Sequence, residues 1–332
     1  MSAAITEKVN TASSGFRLGD LLVKYGFLVI IVCFFVFFSA NANAFLSAGN
    51  LVNILEGNAI LLILALGMTL VVASGGIDLS VGVALDFGAA FAMVALKEYG
   101  VSWQVAILVA VVGGTLIGLL NAVLIVHLKV SPFLATLGTF FIGSSIERIY
   151  TDGGGPISFR RVAVEYRNLA VGNIGGIPTE IIIAFTVFVL YYLFLERSIF
   201  GKRIHAIGLQ KSAALVSGIN VNRYLFYTFL VASGTCAIGG VILSANLRQF
   251  TPLAGYSYLL DSIGAVFIGA SMHPRMRPNV PGTLIGVLFL GMVANGLNLM
   301  GLDFNLKAAL SGIILVCALA ISVLQQKLRK KS

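Results

Sequence analysis

Long apolar runs alternate with short polar segments along the 332 residues of this chain. A helix needs about 20 apolar residues to cross the hydrocarbon core of a membrane. Five runs reach that length directly: 21–39, 101–126, 224–247, 278–302 and 308–326. Five more are shorter, broken or bounded by charges: 60–74, 81–96, 132–149, 181–195 and 256–272. The pattern predicts an all-α polytopic membrane protein with about ten transmembrane helices.

The composition agrees with this pattern, since 58% of the residues are hydrophobic and only 11% are charged. A soluble domain carries about a quarter charged residues. We therefore expect one transmembrane domain over 21–326, preceded by a short segment, 1–20, and followed by a basic tail, 327–332. No soluble domain is expected. The first apolar run lacks a small-residue cleavage site, so it is expected to be a retained span.

The net charge of +9 does not indicate a nucleic-acid partner, because the cations lie in the gaps between apolar runs. Lys and Arg in short loops favour the cytoplasmic side. Most of them fall on the inside if both termini are cytoplasmic and the number of spans is even, so cytoplasmic N- and C-termini are predicted. This places the loop 196–223 inside and the loop 151–179 outside. A re-entrant hairpin at Gly75, or a segment 256–272 that does not cross, would change the sides of later loops.

Glycines at a spacing of four residues, Gly114 with Gly118 and Gly282 with Gly286, predict close helix packing. The cysteines at 33, 236 and 317 lie within apolar runs, at no metal-ligand spacing, and are expected to pack. We expect no metal site and no cofactor.

Enzymatic motifs are missing from the sequence. The three histidines lie far apart, and the chain has no HExxH, no nucleophile elbow and no Walker A sequence. Enzyme chemistry is therefore disfavoured, and without a Walker A sequence this chain is not expected to hydrolyse ATP itself.

The sequence SGGIDLSVG at 74–82 interrupts two apolar runs. Asp78 and Ser80 can accept backbone N–H groups at the start of the next helix. A capped cytoplasmic turn would explain this segment. A broken helix that lines a polar cavity, as in transporters, would explain it equally well. Asp86, an acid within a span, favours the second explanation.

The inside loop 196–223 contains GKRIHAIGLQKSAALVSGINV at 201–221. Its small and apolar residues predict a short amphipathic helix at 212–216 between two glycine turns. A plain connector would account for the cations but needs no such helix. The pattern therefore favours a knob that docks into a groove of another protein.

The outside loop 151–179 carries Arg160, Arg161 and Arg167, which runs against the inside bias of positive charge. These cations could face carboxylates on a soluble binding protein. A surface loop without a partner is the alternative. The basic tail 327–332 is expected to anchor at the inner lipid surface.

Four motifs together resemble the membrane permeases of bacterial ABC importers of the ribose type. They are SGGIDLSVG at 74–82, ATLGT at 135–139, the loop at 201–221 and NGLNL at 295–299. The resemblance covers nearly the whole chain. It implies a pair of permease subunits in the inner membrane, a periplasmic solute-binding protein and a cytoplasmic ATP-binding subunit.

The resemblance also implies roles for particular residues. The coupling helix that enters the ATPase cleft would be formed or bounded by Ala213, Ala214, Ser217 and Gly218, within a coupling loop that also includes Gly201 and Gly208. Polar residues in or near spans are candidates for the translocation path of a neutral sugar: Asp78, Ser80, Asp86, Asn121, Asn295 and Asn298. An Asn within a helix is also often a packing hydrogen bond. The chain departs from the family at 208–210 and at SMHPRMRP, 271–278, where the family has a glycine-rich loop.

Two other functions stay open at this stage. An ABC permease for a nucleoside, an autoinducer or an amino acid is the nearest alternative. An ion-coupled secondary transporter would need buried carboxylates or a proton relay, and Asp86 is the one clearly mid-span acid in the sequence. That function would also leave the docking loop without a role.

Overall fold

The computed structural model describes residues 18–273 and 275–303, with single positions up to 320. The N-terminal residues before 18, the tail 327–332 and most of the predicted span 308–326 lie outside the described residues. The first half forms six helices, α1 to α6: Leu18–Asn41, Ala48–Gly57, Ala59–Ala73, Val81–Glu98, Trp103–Val126 and Pro132–Tyr150.

Short elements follow α6 before the chain returns to long helices. They are β1, α7, β2 and β3: Ile157–Ser158, Val164–Val171, Asn173–Ile174 and Ile177–Pro178. Then come α8, a π-helical turn, α9 and α10: Thr179–Tyr191, Tyr192–Arg197, Ile199–Leu209 and Lys211–Val216. The remaining elements are α11, β4, α12 and α13: Val221–Leu247, Gln249–Phe250, Gly255–Met272 and Val280–Leu299.

Each predicted run within the described residues coincides with a helix. Among the described residues, four helical segments are long and apolar enough to span: α5, α8 with the π-helical turn, α11 and α13. The pair α2 and α3, bent by 44°, gives a fifth. The chain is thus a helical polytopic membrane protein, and the predicted count of about ten stays a prediction. Helix α2 was not predicted, since 48–57 contains Asn, Glu and Gly among its apolar residues.

Helix α3 lies at the centre of the bundle, with nearly every side chain buried. Small residues let the helices around it approach closely. A Cβ added to Gly114 would overlap Ala237 of α11, and one added to Gly118 would overlap the Phe229 carbonyl oxygen. Gly282 and Gly286 pack in the same way against α12. The predicted glycine packing faces are confirmed.

The loops fall into two groups at opposite ends of the bundle. At the end we call inner, Thr136 donates to the Ile77 carbonyl and Arg277 pairs with Glu196. At the outer end, β1 pairs antiparallel with β4, with Ile157 opposite Phe250. Loops that the charge pattern places on one side therefore contact one another.

Candidate functional site

Helices α9 and α10 form the inner segment 198–220, which contains the predicted coupling residues. The Ser198 hydroxyl begins α9 by accepting a hydrogen bond from the Gly201 backbone N–H at 3.1 Å. Gly201 itself packs against the Leu195 carbonyl, where a Cβ would not fit. These contacts attach α9 firmly to the end of the π-helical turn.

Gly208 was predicted as part of a glycine turn, and that prediction is wrong. It lies inside α9, one residue before its end, and packs against the backbone of the break that follows α3. A Cβ at Gly208 would overlap the Ala73 carbonyl oxygen and approach the Gly75 nitrogen to 3.0 Å. The glycine is needed for close approach, so α9 touches the interrupted segment 74–80 directly.

Helix α10 extends over Lys211–Val216, which confirms the predicted short helix within one residue. Gly218, with a φ of +77°, supplies a glycine turn after it. The two alanines do not share a face: Ala214 is buried in the protein, whereas Ala213 and Ser217 are exposed.

The exposed apolar surface of this region is formed by residues that are not among the predicted coupling residues. Leu209 is 74% exposed, Leu215 55% and Val216 91%. We call these three side chains the inner apolar knob. Large apolar groups exposed beside cations in a loop outside the spans indicate a protein contact. The amphipathic pattern predicted the docking helix, but it did not show which side of the helix faces outward.

The inner segment is also connected to the start of α13. Glu196 accepts a hydrogen bond from the Val280 backbone N–H at 3.0 Å and from Arg277 Nη2 at 3.3 Å. Arg277 Nε donates to Nε2 of His273 at 3.2 Å. The departure from the family at 271–278 thus forms an ion pair with the π-helical turn that precedes the inner segment, a role that only the fold reveals.

His205 lies beneath this network and is buried, at 6% exposure. Burial, together with the smaller effects of the nearby charges of Arg277 and His273, lowers its pKa from the ordinary 6.5 to about 4. His205 is therefore neutral at physiological pH.

Asp78 and Ser80 of the interrupted segment form a fully buried polar cluster with Asn121 of α5. Asp78 Oδ1 accepts from the Ser80 backbone N–H at 2.8 Å and from the Ser80 hydroxyl at 2.6 Å. Asn121 Nδ2 in turn donates to the Ser80 hydroxyl oxygen at 2.7 Å. The hydroxyl of Ser80 does not cap α4, contrary to expectation, because it donates to Asp78 instead.

Two acceptor atoms of this cluster, Asp78 Oδ2 and Asn121 Oδ1, are buried and have no hydrogen-bond partner among the described residues. Such unpaired buried acceptors are costly. The cluster is enclosed in this conformation, so a solute could reach it only after the surrounding helices move.

Asp86 has a different role in the geometry. Both of its carboxylate oxygens accept from the Gly255 backbone N–H, at 2.9 and 3.0 Å, where α12 begins. Glu147 accepts from the Leu253 N–H at 2.8 Å. The two acids hold the turn that precedes α12, and Glu147 also lines an aromatic cavity of about 610 Å³. In the sequence, Glu147 stands out only as part of the end of an apolar run.

The two path candidates on α13 lie away from this cluster. The Asn295 and Asn50 side-chain amides donate to each other's oxygen, both at 3.0 Å, and join α13 to α2. This is the packing role that was open for an Asn within a helix. Asn298 is exposed near the end of α13.

Arg160, Arg161 and Arg167 are all exposed at the outer end. Within the described part of the chain none of the three forms an ion pair. Tyr166 holds the short helix α7 beside them, since its hydroxyl shares a 2.7 Å hydrogen bond with Ser244. The arginines thus stand on an anchored surface.

Comparison with known proteins connects this geometry to a family. The family described as "Branched-chain amino acid transport system / permease component" matches residues 50–319. The ribose import permease protein RbsC of Bacillus subtilis is 34% identical over 98% of this chain and 99% of its own length. The Escherichia coli K12 protein of the same name is 31% identical over 90% and 94%.

A relative named for a different sugar is also similar. The galactofuranose transporter permease protein YtfT of Escherichia coli K12 is 31% identical over 82% of this chain and 79% of its own length. No solved structure matches the chain. These relatives are transport permeases and not enzymes. The resemblance seen in the motifs is confirmed, and the chain belongs to the permease family that contains the ribose import permeases.

Proposed function

We propose that this protein is the membrane permease subunit of a bacterial ABC importer that carries a monosaccharide or sugar-like solute across the inner membrane. The observation that carries the proposal is the inner apolar knob on a firmly attached segment, in a chain similar to ribose import permeases over its full length. ATP hydrolysis takes place on a separate cytoplasmic subunit that binds the inner apolar knob.

Backbone contacts supply the coupling route. A displacement of α9 reaches the segment 74–80 through Gly208 and Ala73, which leave no space between them. The same displacement reaches α13 through Glu196 and the Val280 N–H. Packed elements move as rigid bodies. The ATP-driven motion of the knob would therefore tilt α3, α4 and α13 together.

The polar cluster supports a neutral, hydroxyl-bearing solute. Asp78 Oδ2 and Asn121 Oδ1 are acceptors without a donor among the described residues, and sugar hydroxyls are donors. In the open state these two atoms would become part of the translocation path. We assign Asn295 to helix packing, while Asp86 positions α12 at the edge of the path.

A second permease subunit, either a copy or a homologue, completes the path in this proposal. Exposed apolar side chains on α5 and α6, such as Leu108 and Phe141, suit lipid or another subunit. Sites at subunit boundaries are common for small solutes, which supports a path between two permease subunits.

The periplasmic solute-binding protein would dock on the three outer arginines.

A non-sugar solute is the second candidate. The family description names branched-chain amino acids, and an autoinducer 2 import permease is 30% identical over 81% of this chain. The identity to ribose import permeases over nearly the full length favours a sugar. A secondary transporter is disfavoured because Asp86 and Glu147 both bind backbone N–H groups, which a proton relay would have to release.

Reconstituted uptake tests the proposal. Vesicles that contain the permease, its neighbouring ATP-binding subunit and the binding protein should accumulate labelled monosaccharide only with ATP. Leu215→Asp with Val216→Asp should abolish accumulation, while Ile174→Asp on the exposed outer hairpin should not. Accumulation driven by an ion gradient without the ATP-binding subunit would contradict the proposal. Competition by amino acids but not by sugars would favour the second candidate.

A further inference from the structure

A second pocket opens at the inner end of the bundle, between the α5–α6 connection and the start of α11. Its volume is about 580 Å³. The lining residues are Val126, His127, Lys129, Asn220, Asn222, Arg223, Phe226 and Tyr227. The lining therefore combines two permanent cations, two amides and two aromatic rings, and it includes no acidic residue.

Neutral neighbours hold the two cations, Lys129 and Arg223, in the pocket and do not neutralise their charge. Lys129, at a φ of 57°, donates to Asn222 Oδ1 at 3.2 Å. The Arg223 guanidinium lies 5.9 Å from the centre of the Tyr227 ring. Neither cation is in an ion pair with any residue that the structure describes. The pocket thus has the chemistry to bind an anion.

Exposed apolar side chains lead away from the pocket along both helices. On α5, Leu119 and Val123, each 38% exposed, lie on the face that reaches Val126 and His127. On α11, Tyr227 and Val231, 43% and 36% exposed, continue the stripe that begins at Arg223. A ligand with a charged head and long apolar chains would fit both features, whereas a soluble anion would use only the pocket.

We infer that this pocket binds the phosphate headgroup of an anionic phospholipid from the leaflet on the side of the coupling loop. Basic pockets between membrane helices on the cytoplasmic side bind anionic headgroups in this way. Tyr rings at the height of the headgroups are typical of the interface. The inference rests on the proposed function only for the side, because Asn220 and Asn222 adjoin the coupling loop. The other possible occupant, an acidic surface of the ATP-binding subunit, would have no use for the apolar stripes.

Lipid retention by the purified full-length permease tests the inference. The protein is exchanged from detergent mixed with phosphatidylglycerol or phosphatidylcholine, and the bound lipid is measured by native mass spectrometry. Phosphatidylglycerol should be retained and phosphatidylcholine should not. Lys129→Gln with Arg223→Gln should weaken retention roughly 25-fold, at about a factor of five for each cation. Lys202→Gln, an exposed cation of α9 outside the pocket, should leave retention unchanged, and Lys129→Arg should preserve it.

Several results would overturn the inference. Equal retention of the two lipids, or full retention by the double variant, would remove the headgroup site. Displacement of the lipid by inorganic phosphate at equal concentration would indicate a soluble anion instead. Loss of the ATP-binding subunit from the double variant with lipid retention intact would assign the pocket to a protein contact. The assay needs neither ATP nor solute, so it can succeed even if the proposed function fails.

Discussion

The inner segment 198–220 and the outer segment 151–179 are both connections between long helices, but they are built differently. The inner segment is helical, packs its backbone against Ala73 through Gly208 and exposes an apolar knob. The outer segment has three two-residue strands, glycines with positive φ and exposed arginines.

This difference is what two kinds of contact would require. A segment that transmits force must be packed rigidly against the helices that it moves. Direct backbone packing provides such a rigid contact. A contact that forms and breaks in every cycle gains from charge, because charge speeds encounter without adding much affinity. The inner end therefore suits a permanent partner and the outer end a transient one.

The largest expected effect comes from removing the direct contact between α9 and the break. Gly208→Leu should reduce solute uptake roughly 100-fold, since its side chain must push α9 away from the backbone of Ala73. Gly49→Leu, an exposed glycine of α2 with open space around its Cα, is the matched control. A thermal unfolding curve separates uncoupling from misfolding. Normal uptake by the Gly208 variant would show that the contact transmits nothing.

The next effect concerns the ion pair between Glu196 and Arg277, whose side chains are 10% and 32% exposed. Glu196→Ala should lower uptake about tenfold, because the Val280 N–H and the Arg277 guanidinium lose a charged acceptor worth about 1.5–3 kcal/mol. The ATPase rate should fall less than uptake if the route to α13 is lost. The uptake rate of Glu196→Gln, which keeps a hydrogen-bond acceptor, should lie between those of the native protein and Glu196→Ala. Equal losses of both rates would argue against this route.

A smaller effect is expected from pH. The pKa of His205 falls from 6.5 to about 4 in the folded protein. As the pH drops, the imidazole of the unfolded chain therefore takes up a proton at a higher pH than the imidazole of the folded protein. Stability should therefore decrease between about pH 6.5 and pH 4, by up to about 1.4 kcal/mol per pH unit. His205→Asn should show a flatter dependence of Tm on pH in this window. Parallel curves for the two proteins would contradict the burial of a neutral imidazole.

The smallest effect should follow changes at the outer end. Replacement of Arg160, Arg161 and Arg167 by Glu should raise the concentration of binding protein needed for half-maximal uptake several-fold, because exposed charges are screened by water and salt. The maximal rate of uptake should be the same as in the native protein. The difference from the native protein should shrink in high salt. An effect that is independent of salt would indicate a structural role for these residues instead.

The sequence predicted the long helices well and the short elements poorly. The run 101–126 became Trp103–Val126, and 81–96 became Val81–Glu98. Hydropathy determines such elements directly. Helix α2 has too many polar residues to stand out, and the paired residues of β1 and β4 lie about 90 positions apart in the chain.

The sequence predicted which segments form the candidate site, but it did not predict which residues contact one another. The short helix at 211–216 was predicted, but helix geometry separates Ala213 from the buried Ala214 and turns Leu215 and Val216 outward. Asp86 stands out in the sequence as an acid within a span, yet its partner, the Gly255 N–H, lies 169 residues further along the chain. Partners at such distance in sequence come only from the fold.

Cross-linking tests most directly the central claim, that the inner apolar knob is held by a nucleotide-hydrolysing subunit. In a chain with Cys33, Cys236 and Cys317 replaced, Val216→Cys should cross-link to the ATP-binding subunit in assembled membranes, and Ile174→Cys should not. The yield should change with ATP. A Val216→Cys permease that supports full uptake yet never cross-links, and that reacts freely with a soluble maleimide in the assembled complex, would contradict the claim.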